Sequence, residues 1–342
     1  MDISPVKDIA ALNEWLGEHN LHGFWQTEHG RRTEHKPFLW KWEDMHAALT
    51  MATQVVSMDD TNTGIQTGRR NIGLINPRMG GRRTGVVGLG LQSLLPGEVA
   101  RAHRHTLAAI RFVVEGTPGA YTVVEGEPMP MVAGDLITTP SWTWHDHYNE
   151  GTKPAIWLDG LDVGLSSLAQ SFREDFPVDQ QLRDRPVGLS SKIAGATRPT
   201  WPEGPAPTAP YRYAWEDTSA SLEALKALEE PNPCDGYHLQ FRNPVSGGPT
   251  LPTASCEMQL FTPGQKTKLH RHNCTTIYHV FRGSGVTTVG GERLEWSRGD
   301  MFVVPPWLPH EHTNPVNEDA ILFSFSDWPT IRALGWYREE QA

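Results

Sequence analysis

From about residue 69 onwards, apolar and polar residues alternate in short runs separated by glycine and proline. The clearest runs are 84–95 (TGVVGLGLQSLL), 120–126 (AYTVVEG) and 134–140 (GDLITTP). Alternation with a period of two predicts strands with one face toward a core, and regular spacing of such strands indicates a sandwich or barrel. Residues 234–328 repeat this pattern, so we expect a mainly β protein with two similar halves.

Helical spacing is confined to a few segments. An amphipathic helix is predicted over residues 5–20, with Ser4 as its N-cap and Pro5 at its first position. Further helices are predicted over residues 43–55, 221–230 and 328–340.

Residues 163–210 are rich in proline and lack apolar periodicity, which is typical of a long connection. The chain is therefore expected to contain an N-terminal helical segment, a first β domain, a linker with a short helix, and a second β domain with a terminal helix. These four parts are predicted at residues 1–60, 61–165, 166–233 and 234–342.

The composition argues against several classes of protein. The formal charge is −10 at pH 7 and no basic block occurs, so nucleic acid is not expected as a partner. The three cysteines, an odd and widely spaced set, are typical of a reducing compartment rather than of a disulfide framework. No signal-peptide pattern or membrane-length apolar run is read, so a cytoplasmic protein without a membrane partner is expected.

Histidines recur at matching positions in the two β-rich halves. His103 and His105 leave the same face of a strand, and His145 follows after two further β-rich runs. Three neutral imidazoles that converge on one face make a site for a first-row divalent metal with open coordination positions. The second half repeats the spacing with His270, His272 and His310.

The full spacing resembles the paired motifs of the cupin superfamily, present twice as in a bicupin. It reads Gly-x5-His-x-His, a glycine eleven residues after the second histidine, and then Gly-x5-Pro-x4-His-x3-Asn. Several segments also resemble gentisate 1,2-dioxygenase and its relatives that cleave salicylates and 1-hydroxy-2-naphthoate. These segments are PFLWKW (37–42), RRNIGLINP (69–77), IRFVVEG (110–116), GDLITTPSWTWHDHYN (134–149), WLDGLD (157–162) and GDMFVVPPW (299–307).

The resemblance implies an all-β bicupin fold. Two double-stranded β-helix (jelly-roll) barrels would carry an N-terminal helical segment and a few peripheral helices. The family's usual carboxylate ligand would fall at Ala109 and Thr276, which cannot bind metal, so each copy is a three-histidine variant. The resemblance implies one iron(II) per chain in the N-terminal, catalytic barrel, held by His103, His105 and His145.

A three-histidine iron(II) keeps its double charge and three adjacent free positions. Such a site suits an anionic bidentate substrate together with dioxygen. A 2-hydroxybenzoate offers a carboxylate and an ortho hydroxyl for this purpose. The resemblance implies ring opening between the two carbons that bear these groups, with gentisate (2,5-dihydroxybenzoate) as the substrate.

Arg111 lies six residues after His105, on the same face of an unbroken strand. A buried guanidinium is costly unless it is paired, so either a substrate carboxylate or a structural salt bridge should pair it. His147 matches a pocket position and could hydrogen-bond the phenolate, or it is a satisfied structural histidine. The other positions that resemble substrate contacts are Gln92, Arg69 and Arg70.

Three further residues have two interpretations each. Trp142 stands where the motif usually has a glycine, two residues after the proline, as does Trp307 in the second copy. Trp142 and Trp144 either wall the pocket or pack in a core. Asp159 either orients a ligand histidine or caps the end of a strand.

The second copy retains its three ligand positions, and His312 matches His147. Tyr278 stands where the first copy has Arg111, so the anion clamp is missing. Two alternatives stay open for this copy. It binds a second metal that does not catalyse ring cleavage, or it binds no metal.

Three functions therefore stand. The first is a gentisate dioxygenase, and the second is the same reaction on a substituted salicylate or 1-hydroxy-2-naphthoate. The third is a non-oxygenase metal bicupin such as a sugar isomerase, a decarboxylase or a storage protein. Decarboxylases and isomerases generally retain a carboxylate ligand, and a storage protein would not need Arg111. The resemblance also suggests a homotetramer.

Overall fold

The structure of this chain, a computed structural model, forms two compact units, residues 1–35 and 36–342. It describes residues 8–19, 21, 35–56, 58, 69–79, 85–178, 180–181, 183–195 and 210–341.

The first unit contains one described helix, α1 (Ile9–Glu18). Its N-cap is Asp8, whose carboxylate accepts a hydrogen bond from the backbone N–H of Ala11 at 2.9 Å. The described part of the helix predicted over residues 5–20 thus begins at an aspartate cap. The predicted cap, Ser4, and the predicted first position, Pro5, lie outside the described residues.

The first half of the second unit folds into a six-stranded and a five-stranded antiparallel sheet. The strand orders are β12-β8-β5-β10-β3-β2 and β11-β4-β9-β6-β7. The strands are β2 (Asn71–Gly73), β3 (Gly88–Leu94), β4 (Val99–His105), β5 (Ala109–Glu115), β6 (Ala120–Val124), β7 (Glu127–Pro130), β8 (Leu136–Thr139), β9 (His145–Asn149), β10 (Ala155–Leu161), β11 (Arg173–Asp175) and β12 (Tyr211–Tyr213).

The second half repeats this arrangement with sheets in the orders β1-β19-β16-β21-β14-β13 and β18-β17-β20-β15-β22. The predicted all-β fold of two jelly-roll barrels is confirmed. The strands are β1 (Phe38–Trp40), β13 (Tyr237–Gln240), β14 (Ser255–Phe261), β15 (His270–His272), β16 (Thr276–Arg282), β17 (Ser284–Val289), β18 (Glu292–Ser297), β19 (Met301–Val304), β20 (His310–Thr313), β21 (Ala320–Ser326) and β22 (Glu339–Gln341).

The larger sheet of each barrel is completed by a strand that precedes the other barrel in the chain. β1 pairs with β19 of the C-terminal barrel, and β12 pairs with β8 of the N-terminal barrel. A helix of 14 residues follows each of these strands, α2 (Trp42–Val55) and α4 (Trp215–Leu228), and the short α3 (Leu189–Ala194) lies between them in the chain. The prediction for α2 was off by one residue, whereas α4 begins six residues before the predicted segment 221–230. The strand-helix units thus tie the two barrels together reciprocally.

An aspartate fixes the start of each of these helices. Asp135 accepts the backbone N–H of Trp215, and Asp300 accepts the backbone N–H of Trp42, both at 2.8 Å. The preceding residue, Gly134 or Gly299, has a φ of 91° or 92°, and a Cβ there would come within 2.7 Å of the tryptophan ring. The motif glycine is therefore required both by its backbone conformation and by the approach of the helix.

One hydrophobic core joins the two six-stranded sheets, and a smaller core fills each barrel. Side chains alternate along β5, so Ile110 and Phe112 enter the joint core while Val113 enters the N-terminal barrel. Phe112 stacks on Phe323 of the other barrel, with ring centroids 4.0 Å apart. Both faces of these sheets are buried, which explains their nearly continuous apolar runs.

The last part of the chain differs from the predicted helix over 328–340. Helix α5 (Trp328–Ala333) is short, and Gly335 follows it with a φ of 74°. β22 then pairs with β15, just as β11 pairs with β4 in the first barrel. Within the part of the chain that the structure describes, no helix is long and apolar enough to cross a membrane.

We expect Phe112→Ala to lower the free energy of unfolding by about 3–5 kcal/mol, because it leaves a cavity in the joint core. Urea denaturation followed by circular dichroism measures this loss. Phe172→Ala is the matched control, since this side chain is 54% exposed, and it should change stability by no more than about 0.5 kcal/mol. A Phe112→Ala protein as stable as the control would contradict the role of the joint core.

Candidate metal centre and substrate pocket

Strands β4 and β9 bring three histidines of the N-terminal barrel together. His103 pairs directly with His145 across the two strands, and His105 lies on the same face as His103. The ring centroid of His145 is 4.3 Å from that of His103 and 4.8 Å from that of His105. One ligand atom from each residue lies within 4.8 Å of the others, as a single metal ion requires. The predicted triad is thus assembled.

Backbone carbonyls orient all three rings. The Nδ1 atoms of His103, His105 and His145 lie 3.0, 2.7 and 2.9 Å from carbonyl oxygens of Arg101, Leu107 and Thr143. A carbonyl oxygen only accepts, so Nδ1 of His105 and of His145 carries the proton and Nε2 keeps its lone pair. Nδ1 of His103 also faces the guanidinium of Arg69, so its carbonyl contact alone does not assign the tautomer of this ring. Among the described residues, nothing hydrogen-bonds to the buried Nε2 of His145. The donor set therefore fits a divalent transition metal.

Burial keeps these imidazoles neutral. It lowers the pKa of His105 to about 4, and the charge of Arg111 acts in the same direction. Burial, followed by the charges of nearby arginines, holds the pKa values of His103 and His145 well below their usual range. The neutral form is the one that binds a metal, so the site is ready for a cation at neutral pH.

Arg111 lies in the interior of the same barrel, on β5, and is 1% exposed. Its Nη1 donates to the hydroxyl of Thr139, and its Nε lies 3.6 Å from Oδ1 of Asp159 on β10. Asn71 donates to the other carboxylate oxygen of Asp159 at 3.0 Å. Asp159 therefore pairs with Arg111. Among the described residues, Asp159 does not contact a ligand histidine, and it lies within β10 rather than at the end of the strand.

Arg69 lies between the triad and Gln92. Its Nη2 is 2.9 Å from Nδ1 of His103, and its Nη1 donates to Oε1 of Gln92 at 3.4 Å. The amide nitrogen of Gln92 is buried, and it has no hydrogen-bond partner among the described residues. Arg69 and Gln92 thus lie next to the triad, and their contact with a substrate stays a prediction.

His147 adjoins the triad with its ring centroid 6.2 Å from that of His145. Its Nδ1 lies 2.9 Å from the hydroxyl of Thr122. The indole of Trp157 lies beside it, with centroids 5.0 Å apart, and Trp157 is directly opposite Gln92 in the sheet. His147 Nε2 and Trp157 Nε1 are both buried without a hydrogen-bond partner in the described part of the chain.

Trp157 was not predicted as a site residue. The available signal was its spacing in WLDGLD, because Trp157 and Asp159 are two residues apart and so share the interior face of β10.

The structure gives Arg70 and Trp142 other neighbours. Arg70 binds the carboxylate of Glu98. The guanidinium of Arg104 lies 4.6 Å from the ring of Trp142, which is 39% exposed. Arg104 alternates with His103 and His105, so it lies on the opposite face of β4. The expectation that Arg70 and Trp142 contact substrate therefore lacks geometric support. The ring of Trp144 also packs against the guanidinium of Arg104, at 4.5 Å.

Trp142 and Trp307 have φ values of 62° and 64°, in the left-handed region that glycine favours. The backbone keeps the conformation of the motif glycine although the side chain has changed. Each tryptophan stacks on an arginine of the adjacent strand, Arg104 or Arg271.

The C-terminal barrel assembles a second triad, with His270, His272 and His310 also within 4.8 Å of one another. Carbonyl oxygens of Cys274 and Leu308 orient His272 and His310 through Nδ1, at 3.2 and 3.1 Å. A pocket of about 280 Å³ adjoins this triad.

The surroundings of the second triad differ from those of the first. Tyr278 is buried at the position of Arg111. His238 lies 3.1 Å from Glu257, and although burial would lower the pKa of His238, the bond and charge of Glu257 raise it to about 9. The carboxylate of Glu257 thus compensates the charge of His238.

Comparison with known proteins agrees with this architecture. A family model described as a cupin domain matches residues 90–162 and 257–326, one segment in each barrel. A gentisate 1,2-dioxygenase of a Haloferax species is 38% identical, and the match covers 95% of this chain and 94% of that protein. A 1-hydroxy-2-naphthoate 1,2-dioxygenase of a Nocardioides species is 37% identical over 99% of this chain and 89% of its own length.

A solved structure has the same fold. The salicylate 1,2-dioxygenase of Pseudoaminobacter salicylatoxidans, crystallised with gentisate, matches with a TM-score of 0.87 and 30% identity. The match covers 100% of this chain and 96% of the other. The chain therefore belongs to the gentisate 1,2-dioxygenase family of bicupin ring-cleaving dioxygenases, and it is an enzyme of that kind.

Proposed function

We propose that this enzyme is an iron(II)-dependent dioxygenase that opens the ring of gentisate between the carboxyl-bearing and hydroxyl-bearing carbons, in aromatic catabolism. In this reaction the ring bond between these two carbons breaks, and both atoms of one dioxygen molecule are added to them. The observation that carries the proposal is the buried guanidinium of Arg111 beside a neutral histidine triad. A cationic, largely dehydrated pocket next to a metal site is suited to an aromatic acid.

The residues that would hold the iron are His103, His105 and His145, through their Nε2 atoms. Iron(II) bound there would supply Lewis acidity and a redox centre for the use of dioxygen. The chain's own contribution is to hold three neutral ligands in fixed tautomers and to bind the substrate beside them.

Three donors of the barrel interior suit the substrate carboxylate. Arg111 offers its guanidinium, and the N–H groups of Gln92 and Trp157 are buried donors without described partners. Leaving such groups unpaired is costly, so a bound carboxylate that accepts from them gains more than it would in water. Asp159 keeps Arg111 in place at 3.6 Å while leaving the guanidinium only partly hydrogen-bonded.

His147 suits the hydroxyl oxygen of the substrate. The hydroxyl of Thr122 can donate to Nδ1 of His147 or accept from it, so the ring can carry its proton on either nitrogen. Nε2 can therefore accept the proton that leaves the substrate hydroxyl and later return it.

Arg69 is expected to change partners when the site is filled. A guanidinium only donates, so its 2.9 Å contact with His103 requires the lone pair of Nδ1. If Nε2 of His103 held the metal, the ring proton would lie on Nδ1 and would be donated to the carbonyl oxygen of Arg101. Arg69 would then lose its acceptor on His103 and would be available to the anionic substrate.

Gentisate is the proposed substrate because a 38% identical relative is named for it and because it was crystallised in the salicylate dioxygenase. The alternative substrates are a substituted salicylate and 1-hydroxy-2-naphthoate, the latter supported by the 37% identical Nocardioides protein. All share the carboxylate and the ortho hydroxyl that this pocket is suited to bind.

We also propose that the enzyme works in the cytoplasm as a homotetramer. The free, buried state of Cys234, Cys256 and Cys274 supports a reducing compartment. The tetramer rests on the family resemblance, and analytical ultracentrifugation would test it.

Anaerobic reconstitution with ferrous iron should give rapid oxygen uptake and a new ring-opened chromophore with gentisate. The measurement is an oxygen electrode together with ultraviolet absorbance, on gentisate, salicylate, 5-aminosalicylate and 1-hydroxy-2-naphthoate in parallel. Uptake with only another member of the panel would replace gentisate as the substrate. Bound iron without uptake on any of them would contradict the proposal.

His145→Ala should remove oxygen uptake together with the iron of the N-terminal barrel, because it deletes one of three ligands. Iron content by plasma emission spectroscopy and oxygen uptake are measured on the same samples. His46→Ala, at an exposed position of α2, is the control and should keep both. An active His145→Ala enzyme would mean that the chemistry occurs elsewhere.

Arg111→Ala should lower kcat/KM by the equivalent of about 2–4 kcal/mol, as for the loss of a buried charge partner. Iron content should stay unchanged, which separates this effect from misfolding. The matched control is Arg293→Ala, whose side chain is 61% exposed on the other barrel. Equal kcat/KM values for the two variants would exclude Arg111 as the anion clamp.

A further inference from the structure

The partly exposed side of the first triad lies next to the edge strand β11. His103 and His145 are buried, whereas His105 is partly exposed. β11 is the edge strand of this sheet, and all three of its residues are exposed. An anion that approaches the triad from this side passes β11, so the side chains of this strand act on it before it reaches the pocket.

The register of β11 determines which of its side chains face the triad. Arg173 is directly opposite His105, and Asp175 is directly opposite His103. Residues directly opposite each other in an antiparallel pair point to the same face of the sheet. Arg173 and Asp175 therefore lie on the histidine face, where they pair with each other at 2.8 Å. Glu174, between them in the strand, points to the other face.

Contacts on the outer face and at the start of β11 fix this register. Glu174 accepts a hydrogen bond from Nε of Arg104 at 2.9 Å. The backbone N–H of Thr106 donates to the carbonyl oxygen of Phe172 at 3.1 Å, next to the first residue of β11. The strand is thus held against β4, and the side of the sheet on which Arg173 lies is set by backbone pairing.

The second barrel has an equivalent strand, β22, with the same outer ion pair. Glu340 accepts a hydrogen bond from Nε of Arg271, also at 2.9 Å. On the inner face, Glu339 is directly opposite His272, and it lines the pocket of the second triad. Glu339 therefore stands where the first copy has Arg173. The charge on the histidine face is reversed between the copies, although the ion pair on the outer face is kept.

Arg173 is the most exposed of three arginines around the first triad. Its side chain is 43% exposed, Arg69 is partly exposed, and Arg111 is 1% exposed. Burial lowers the pKa of Arg69, and the charges of Arg111 and Arg173 act in the same direction, although the charge of Asp159 opposes them. The three cations are therefore close enough to act on one another, and their exposure decreases from the strand edge to the pocket.

The net charge of the chain gives a cation at the strand edge a specific effect. A formal charge of −10 repels an anionic aromatic acid at long range. A cation beside the approach to the triad reverses the sign of the local potential and raises the local concentration of the acid. The carboxylate of Glu339 acts in the opposite direction at the second triad.

We propose that Arg173 is an entry residue of the N-terminal barrel, which attracts the carboxylate of the incoming aromatic acid and passes it to Arg69 and Arg111. Asp175 holds the guanidinium of Arg173 before the acid arrives, and its charge weakens the attraction. The inference rests on the proposed function, because it needs an anionic substrate, and it adds a residue outside the pocket to that function.

Steady-state kinetics of the iron-loaded full chain test this role, on whichever acid of the panel is turned over. Arg173→Gln should raise KM about threefold at about 10 mM ionic strength, with kcat and iron content unchanged. Arg173→Glu, which introduces the charge of the second copy, should raise KM about tenfold under the same conditions. At about 1 M ionic strength, where the screening length is about 3 Å, the KM values should agree within about 1.5-fold.

Asp175→Asn separates attraction of the substrate from a structural role of the ion pair. If the pair only holds β11 in place, removal of either partner should change KM in the same direction at both ionic strengths. For an entry residue, Asp175→Asn should instead lower KM about twofold at low ionic strength, because the charge of Arg173 is then uncompensated. A KM raised at both ionic strengths would overturn the proposal.

Arg183→Gln is the matched control. Arg183 is 36% exposed and binds Glu150 at 2.9 Å, just beyond the end of β9 that lies opposite His145. Its removal should leave KM within about 1.5-fold at both ionic strengths. Equal KM values for Arg173→Gln and Arg183→Gln in an active enzyme would overturn the role of Arg173 alone. An iron-loaded chain that turns over no acid of the panel would overturn the proposed function, and this inference with it.

Discussion

The strict alternation of side chains along β5 and β10 is the constraint on which the rest of the structure depends. One face of these strands joins the core between the barrels, where Phe112 stacks on Phe323 of the other copy at 4.0 Å. The opposite face lines the barrel interior and carries Arg111 and Asp159. A shift of register by one residue would move the guanidinium into the joint core and the phenyl ring into the pocket. The same strand pairing therefore sets both the stability of the joint core and the substrate recognition proposed for Arg111.

A buried arginine beside a metal site is unfavourable in a barrel that holds no anion, and the structure offsets this cost only in part. Asp159 lies 3.6 Å from Nε of Arg111, a distance that gives charge compensation without a full hydrogen bond. The N–H groups of Gln92 and Trp157 also lack hydrogen-bond partners among the described residues. Under the proposed function, this incomplete pairing favours a bound carboxylate, because a carboxylate supplies the acceptors that these donors need. Full pairing of Arg111 with Asp159 would then weaken recognition of the proposed substrate.

The sequence predicted the triads because the two-residue spacing of the first two histidines is a local property. Pairing with a neighbouring strand was then enough to place the third histidine beside them. The sequence also predicted the two barrels and the place of Arg111. The sequence could not predict that β1 and β12 each pair with the other barrel, because PFLWKW and YRYAW are short aromatic runs whose partner strands are distant in sequence. The final strand β22 was not predicted for the same reason. Trp157 was missed because a large buried indole is common in cores, and what distinguishes it is an N–H without a partner among the described residues.

Duplication explains why the two triads can be so similar and their surroundings so different. The second and third histidines of each triad are oriented by backbone carbonyls at the turns next to the strands, a geometry that the two copies share. The residues that select a ligand lie on neighbouring strands, where substitution leaves the triad intact. Arg111 and Tyr278 can therefore differ while the geometry of the histidines is kept. The reciprocal strand-helix units then hold both copies in one body, so each barrel contributes to the joint core whatever its own chemistry.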